Sequence, residues 1–465
     1  MVHAEIAVLR FGLGARPGEL AAAAGDARAW LREQIRGPVP LAGTTPLAPS
    51  EQIFAEVMAA RREKRELRRA ADADPKGTEN VLRDAYRPHY RAQVLARAQS
   101  AALTSRPFAE RLVHFWANHF AISSDKGIIF GLAGTLENEA VRPHVNGRFL
   151  EMLRAVEQHP AMIAFLDNQA SMGPDSAVAL QAKRRSVRPD GPHREFGINE
   201  NLAREILELH TLGVEGGYTQ KDVTSFAEII TGWSIGDAGG RFAGGQTGRF
   251  FFRDNLHEPG AQTFLGKRYA GGRDQGEAVL QELARHPSTA RFIATKLARH
   301  FVADEPPPAV VDRLARTYLA SDGDLPAVYA ALIDSGEAWE PEPRKFKTPE
   351  DLVFSTLRAF GTAPGKPEDV LRSFELLGQR QYTPGSPAGW PDVARAWDGS
   401  DALMHRILWA SGVAERFDRG VDPLDLAASS LGGYARPETL AALRRAASGT
   451  QAVALLLMSP EFQRR

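Results

Sequence analysis

The chain has 465 residues, with 57 Lys plus Arg against 57 Asp plus Glu, and no cysteine. A balanced surface gives no broad electrostatic grip on nucleic acid or anionic lipid. The absence of thiols removes disulfides, thiolate metal sites, cysteine nucleophiles and iron–sulfur clusters, and confines any metal to oxygen and nitrogen ligands.

The length suits two or three ordinary domains or one large helical body. The first ten residues show no basic stretch followed by a long apolar run, so no signal peptide is visible. The start as written predicts a cytoplasmic protein; a periplasmic or exported one requires a trimmed leader. No segment approaches the roughly 18 uninterrupted apolar residues of a membrane span.

Residues 19–35, 51–71, 107–122, 148–158, 199–212 and 220–233 repeat apolar side chains at three- and four-residue spacing, and similar segments follow over 276–462. These are helix signatures, separated by Pro and Gly. Residues 171–196 are Pro- and Gly-containing and basic through Lys183, Arg184, Arg185 and Arg188, which predicts a long surface loop, either a solvated insertion or an anion-binding or gating segment. Residues 236–248 are glycine-rich and aperiodic. Residues 249–252 and 262–265 are the strand candidates and predict one small hairpin. The expected fold is all-α, a large multi-helix body with at most one small β-hairpin. Its N-terminal region, 1–270, carries the motifs, and its C-terminal region, 271–465, packs with the first as one unit.

Short catalytic signatures give little. Gly232-Trp233-Ser234-Ile235-Gly236 spells a nucleophile elbow, but that motif works only on a strand-to-helix turn, and here a helix precedes and a glycine loop follows. Gly266-Lys267 lacks the upstream spacing and the following Ser or Thr of a phosphate loop.

Three polar constellations remain. On a helix at about 100° per residue, Asn201, Arg204, Glu205 and Glu208 share one face, with Asn199 as a cap. Two carboxylates at i and i+3 suit an acid/base pair or a metal site; the alternative is an Arg204–Glu208 ion pair on a solvated face. In the second, His114 and Asn118 share a face with Glu110, whereas His119 lies beside Phe115, so the two histidines cannot ligate one ion from a regular helix. The third is His257, placed in a turn where a core role is uncommon. Thr219 and Asp222 read as a capping box.

Arg10-Phe11-Gly12-Leu13-Gly14, Phe115-Trp116-Ala117-Asn118-His119-Phe120, Asn199-Glu200-Asn201-Leu202-Ala203-Arg204-Glu205, Glu208-Leu209-His210-Thr211-Leu212-Gly213, Thr231-Gly232-Trp233 and Ser386-Pro387-Ala388-Gly389-Trp390-Pro391 together resemble the bacterial DUF1800 family, over nearly the whole chain. That resemblance implies no defined activity. It implies a tendency to export and a partner among DUF1501-like proteins, which resemble the alkaline-phosphatase and sulfatase superfamily. This sequence departs from the pattern in having no visible leader and in Gln262, where a lysine is expected.

Two functions are therefore weighed. In the first, a hydrolase-type enzyme acts on a glycan, peptide or phosphorylated or sulfated substrate. Glu205, Glu208 and His257 are its catalytic residues, and Asn201, Arg204, His119 and Trp233 bind substrate. A divalent metal, if used, sits on Glu205, Glu208 and His210. In the second, the same polar helix is a buried clamp in a non-catalytic binding or assembly partner of a DUF1501-like protein. Convergence of Glu205, Glu208 and a histidine on an open cleft separates the two.

Overall fold

The helix Pro107–His119 lies at the centre of the molecule, and its sequence explains why. Pro107 opens it without wasting a hydrogen-bond donor, and every side chain from Phe108 to Trp116 is buried. Trp116 Nε1 donates to the Tyr329 hydroxyl (2.6 Å), which donates to the Val145 carbonyl (3.0 Å), so one polar chain ties three separate segments through the core. The polar residues of the helix are matched as well. Glu110 accepts two hydrogen bonds from Arg142 (2.6 and 2.8 Å), and Arg111 donates to Asp351 (2.7 Å). Buried charge requires such pairing, because an unpartnered ion in this setting costs several kcal/mol, on the order of 3–5.

The structure is a computed structural model and describes residues 2–69, 75–185, 197–237, 244–417 and 420–465. Helices pack around one contiguous hydrophobic cluster that runs from Ile6 to Phe462. Buried arginines stitch distant parts of the chain together. Arg10 donates to the carbonyls of Ala338 (2.7 Å) and Glu342 (2.6 Å), and Arg358 pairs with Glu19 (2.6 Å). Among the described residues no helix is long and apolar enough to cross a membrane.

Several expected elements are redrawn. The 19–35 segment is two helices, Glu19–Ala23 and Ala27–Gln34, because Asp26 caps the second by accepting from the Ala29 amide (2.9 Å). The capping box at Thr219 and Asp222 is present, but its helix, Gln220–Ile229, stops before Gly232 turns the chain at φ +83°. Trp233–Ile235 is then a strand, paired antiparallel with Phe250–Phe252. The two strand candidates consequently do not pair with each other. The second, Gln262–Phe264, turns back through Leu265 (φ +46°) and Gly266 (φ +74°) onto Lys267–Tyr269. Positive φ at both central residues is the tight hairpin turn that matches strand twist, and it gives each candidate its own partner.

The long basic segment contains the helix Ala177–Arg185, with Ser176 Oγ accepting from the Ala179 amide (3.3 Å); residues 186–196, Arg188 included, lie outside the described residues. In the glycine-rich segment Asp237 and Gly244 exchange two backbone hydrogen bonds, and residues 238–243 also lie outside the described residues. Three short stretches change to i→i+5 hydrogen bonding: Ile6–Phe11, Leu136–Val141 and Ile206–His210. Such π-turns occur frequently at functional sites.

Candidate functional site

A cleft of about 470 Å³ opens against the C-terminal end of the central helix. Its walls come from Phe115 to Phe120, the helix Pro287–Phe301, the N-terminal half of Pro349–Ala359, and the turns around Tyr382 and Trp390. Asn118 fixes two of these walls. Its Nδ2 donates to the Trp390 carbonyl (2.9 Å), and the Trp390 amide donates to its Oδ1 (2.8 Å), as a neighbouring strand would. Gly389 makes this approach possible: its φ is +83°, and a Cβ there would lie 2.3 Å from the Asn118 carbonyl oxygen.

One end of the cleft is a network of charges. Arg97 faces Glu137 at 3.4 Å and Glu350 at 3.2 Å. His114 lies 3.6 Å from both Glu110 and Glu350, beyond hydrogen-bond reach of either. Glu137 is 2% exposed, and neither of its oxygens has a hydrogen-bond partner among the described residues, although Arg142 stands 3.8 Å away. The Tyr382 hydroxyl is likewise buried and unpartnered, and the Tyr382 ring lies 5.2 Å from the Arg97 guanidinium. Burial, reinforced by the charge of Glu137, holds the Tyr382 phenol well above its ordinary range, so it remains a hydrogen-bond donor at neutral pH. Tyr382 also has φ +54°, a conformation that costs a side-chain-bearing residue on the order of 1–3 kcal/mol. Glu137 stands on the π-turn Leu136–Val141, which offsets it from regular helical spacing.

The other end holds His300, Lys296 and Arg299. His300 Nδ1 donates to Asp392 (2.7 Å), and burial takes the imidazole down to about 4, so its Nε2 is a bare acceptor at neutral pH. Asp392 is drawn below the usual carboxylate range despite its burial by His300, Lys345 and Arg465. His119 Nε2 donates to the His210 carbonyl (3.1 Å), and burial with the nearby Lys296 charge keeps the ring neutral.

The family described as "Protein of unknown function (DUF1800)" matches residues 6–464. The chain belongs to this family. No curated protein and no solved structure matches it. Two DUF1800-like motifs far apart in sequence, Phe115–Phe120 and Ser386–Pro391, meet at the cleft through the Asn118–Trp390 clamp.

The residues expected to form a site are divided by the fold. His119 lines the cleft, whereas Asn201, Arg204, Glu205, Glu208, His210, Trp233 and His257 do not. Arg204 pairs with Glu200 (3.0 Å) and Gln220 (2.9 Å) rather than with Glu208, and Asn199 Oδ1 caps by accepting from the Asn201 amide (3.0 Å). His210 Nδ1 is taken up by Glu157 (2.8 Å) in a sealed pair. His257 is a buried turn residue whose Nδ1 donates to the Thr231 carbonyl (3.0 Å). Trp233 is buried in its strand against Gly276.

Among the described residues no three His, Asp or Glu side chains converge to hold a metal ion, so Glu205, Glu208 and His210 are not assembled as a ligand set. The reason is local. The shared face of Asn201, Arg204, Glu205 and Glu208 assumes regular α spacing, and from Ile206 the chain changes to i→i+5 bonding, while His210 is taken up by Glu157. Glu205 is half-buried, and burial together with Glu208 raises its carboxyl above the usual range.

Glu137, Tyr382, Lys296, His300 and Asp392 were not found by sequence reasoning. One signal was available: Pro287–Phe301 carries Arg291, Lys296, Arg299 and His300 without a single acid, so its cations have no partner on their own helix.

Proposed function

We propose that the chain is a hydrolase-type enzyme whose substrate occupies the cleft, with Glu137 as base and Tyr382 as hydrogen-bond donor. The observation that carries this reading is that two buried polar groups of opposite character, Glu137 and Tyr382, line one cleft and make no hydrogen bond among the described residues. Buried polar groups are ordinarily hydrogen-bonded; Glu137 has Arg97 (3.4 Å) and Arg142 (3.8 Å) as charge partners but no hydrogen bond, and the Tyr382 hydroxyl has none, so both retain hydrogen-bonding capacity for a ligand. A phenol held protonated by burial can donate a hydrogen bond, and a carboxylate beside it can accept a proton. Glu137 takes the proton of an attacking water, Tyr382 donates to the oxygen on which charge develops, and Arg97 offsets the charge change between Glu137 and Glu350. Glycan, peptide and phosphorylated or sulfated substrates are the classes compatible with this chemistry.

The test is turnover of a panel of chromogenic glycosides, esters, anilides, and phosphate and sulfate monoesters by wild-type protein and by Glu137→Gln. Turnover of one class that falls at least about 100-fold in the variant, with unfolding midpoints unchanged, is the expected result. Turnover of none of these classes, or turnover indifferent to Glu137→Gln, overturns the assignment and favours a non-catalytic binding partner.

A further inference from the structure

Four cations line the cleft: Arg97, Arg111, Lys296 and Arg299. The first two are matched, Arg97 by Glu137 and Glu350 and Arg111 by Asp351. Lys296 and Arg299 have no carboxylate within ion-pair distance among the described residues. Lys296 Nζ rests 5.5 Å from the centre of the Phe292 ring, and Arg299 Nε donates only to the Asp304 carbonyl (3.2 Å). At i and i+3 of one helix they project from the same side. Asp392 acts on Lys296 only from beyond ion-pair distance and is already shared by His300 (2.7 Å), Lys345 (3.3 Å) and Arg465 (3.8 Å). In a chain with as many acids as bases, two adjacent cations left open in a cleft mark the place of an anion brought by the ligand.

His119 refines which anion. It packs on the same Phe292 ring, with ring centres 6.1 Å apart. Its Nε2 proton is committed to the His210 carbonyl, which leaves Nδ1, buried and without a partner, as a hydrogen-bond acceptor. A neutral acceptor beside two cations suits an oxyanion that still carries a hydroxyl.

We infer that Lys296 and Arg299 form a subsite for a tetrahedral oxyanion, with His119 accepting the O–H of its monoanionic form, so that the cleft takes a phosphate monoester, which can hold that proton, in preference to a sulfate ester, which cannot. The inference rests on the cleft being the substrate site and names the substrate class within it. Burial and the neighbouring Arg299 bring the Lys296 ammonium down to about 8, which agrees with a cation short of counter-charge.

The experiment is calorimetric titration of the full chain with inorganic phosphate and with sulfate, in chloride buffer of matched ionic strength. The proteins compared are wild type, Lys296→Met, Arg299→Met, Arg299→Lys and Glu137→Gln. Wild type is expected to bind one phosphate at least threefold tighter than sulfate. Lys296→Met and Arg299→Met each weaken phosphate at least tenfold with unfolding midpoints preserved, and Arg299→Lys recovers part of the loss. Absence of phosphate binding by wild type, or equal binding by both Met variants, overturns the subsite. Sulfate binding as tight as phosphate overturns the phosphate assignment. Wild-type turnover separates this inference from the enzyme reading: phosphate bound by a wild-type protein that turns over none of the substrate classes leaves the subsite standing without the hydrolase, and wild-type turnover without phosphate binding does the reverse; Glu137→Gln should bind phosphate as wild type does.

Discussion

The cleft and the segment around His210 use the same side-chain chemistry and differ in what surrounds it. Both carry carboxylates beside imidazoles. At His210 the carboxylate partner, Glu157, is 0% exposed, and the pair closes on itself at 2.8 Å inside the core. In the cleft, Glu137 has Arg97 as an ion-pair neighbour at 3.4 Å but no hydrogen bond, the Tyr382 hydroxyl has none either among the described residues, and Lys296 and Arg299 lack counter-charges there. Polar residue types at suggestive spacing therefore do not distinguish a structural clamp from a site. Position distinguishes them: Glu157 Oε2 and His210 Nε2 also carry no hydrogen bond, but they lie away from the cleft, whereas the open hydrogen-bonding groups of Glu137 and Tyr382 belong to residues that line a cavity a ligand can enter.

The sharpest way to break this comparison is catalytic. With a substrate from the panel in hand, Glu137→Gln should lower turnover at least about 100-fold, while Glu205→Gln and Glu208→Gln leave it within about twofold of wild type. A large loss at Glu205 or Glu208 with Glu137→Gln near wild type would return the site to the segment that sequence favoured.

Stability supplies the next test. His210→Ala strands the Glu157 carboxylate in a sealed interior and should cost about 3–5 kcal/mol, read from denaturant midpoints at pH 7. His300→Ala should cost clearly less, about 1–2 kcal/mol, because Asp392 keeps Lys345 and Arg465. Equal losses would mean that the two imidazole–carboxylate pairs are equivalent structural devices.

Gly389→Ala tests the clamp between the two family motifs. The added Cβ meets the Asn118 carbonyl oxygen at a φ of +83°, and a loss of about 1–3 kcal/mol is expected. Phosphate binding should weaken with it, since Asn118 precedes His119 on the same wall.

The smallest effect concerns Glu205. Its carboxyl is raised in the folded state by burial and by Glu208. Protonation therefore favours folding: the contribution is fully present below the ordinary carboxylate range and is lost as pH rises through the elevated folded value. Glu205→Gln should match wild type near pH 4 and melt higher at pH 7, by less than about 2 °C. A lower melting temperature at pH 7 would show that the ionised carboxylate has a partner.

How much was legible beforehand differs between fold and site. Pro107 at the head of a densely apolar segment, and Thr219 with Asp222 at the head of another, state their helices locally, and the structure has both. The hairpins show where locality ends. Residues 249–252 and 262–265 were recognisable as strands, but their partners were decided by Gly232 and by the turn at Leu265 and Gly266. The site was less legible still. His119 was among the candidates and lines the cleft, whereas Glu137 sits on a π-turn, where sequence periodicity gives the wrong face.

The sequence by itself determined the helical class, the family, the exclusion of thiol chemistry and the motifs around Asn118 and Trp390, since these follow from composition, periodicity and short-range pattern. Only the tertiary structure decided which polar residues pair and which line a cavity. Glu157 and His210 are 53 residues apart and pair with each other, and Asn118 reaches across 272 residues to hold Trp390. Lys296, with no acid on its own helix, finds no ion-pair partner among the described residues either. Desolvation and pairing are properties of the surroundings, and packing assembles those surroundings from distant parts of the chain.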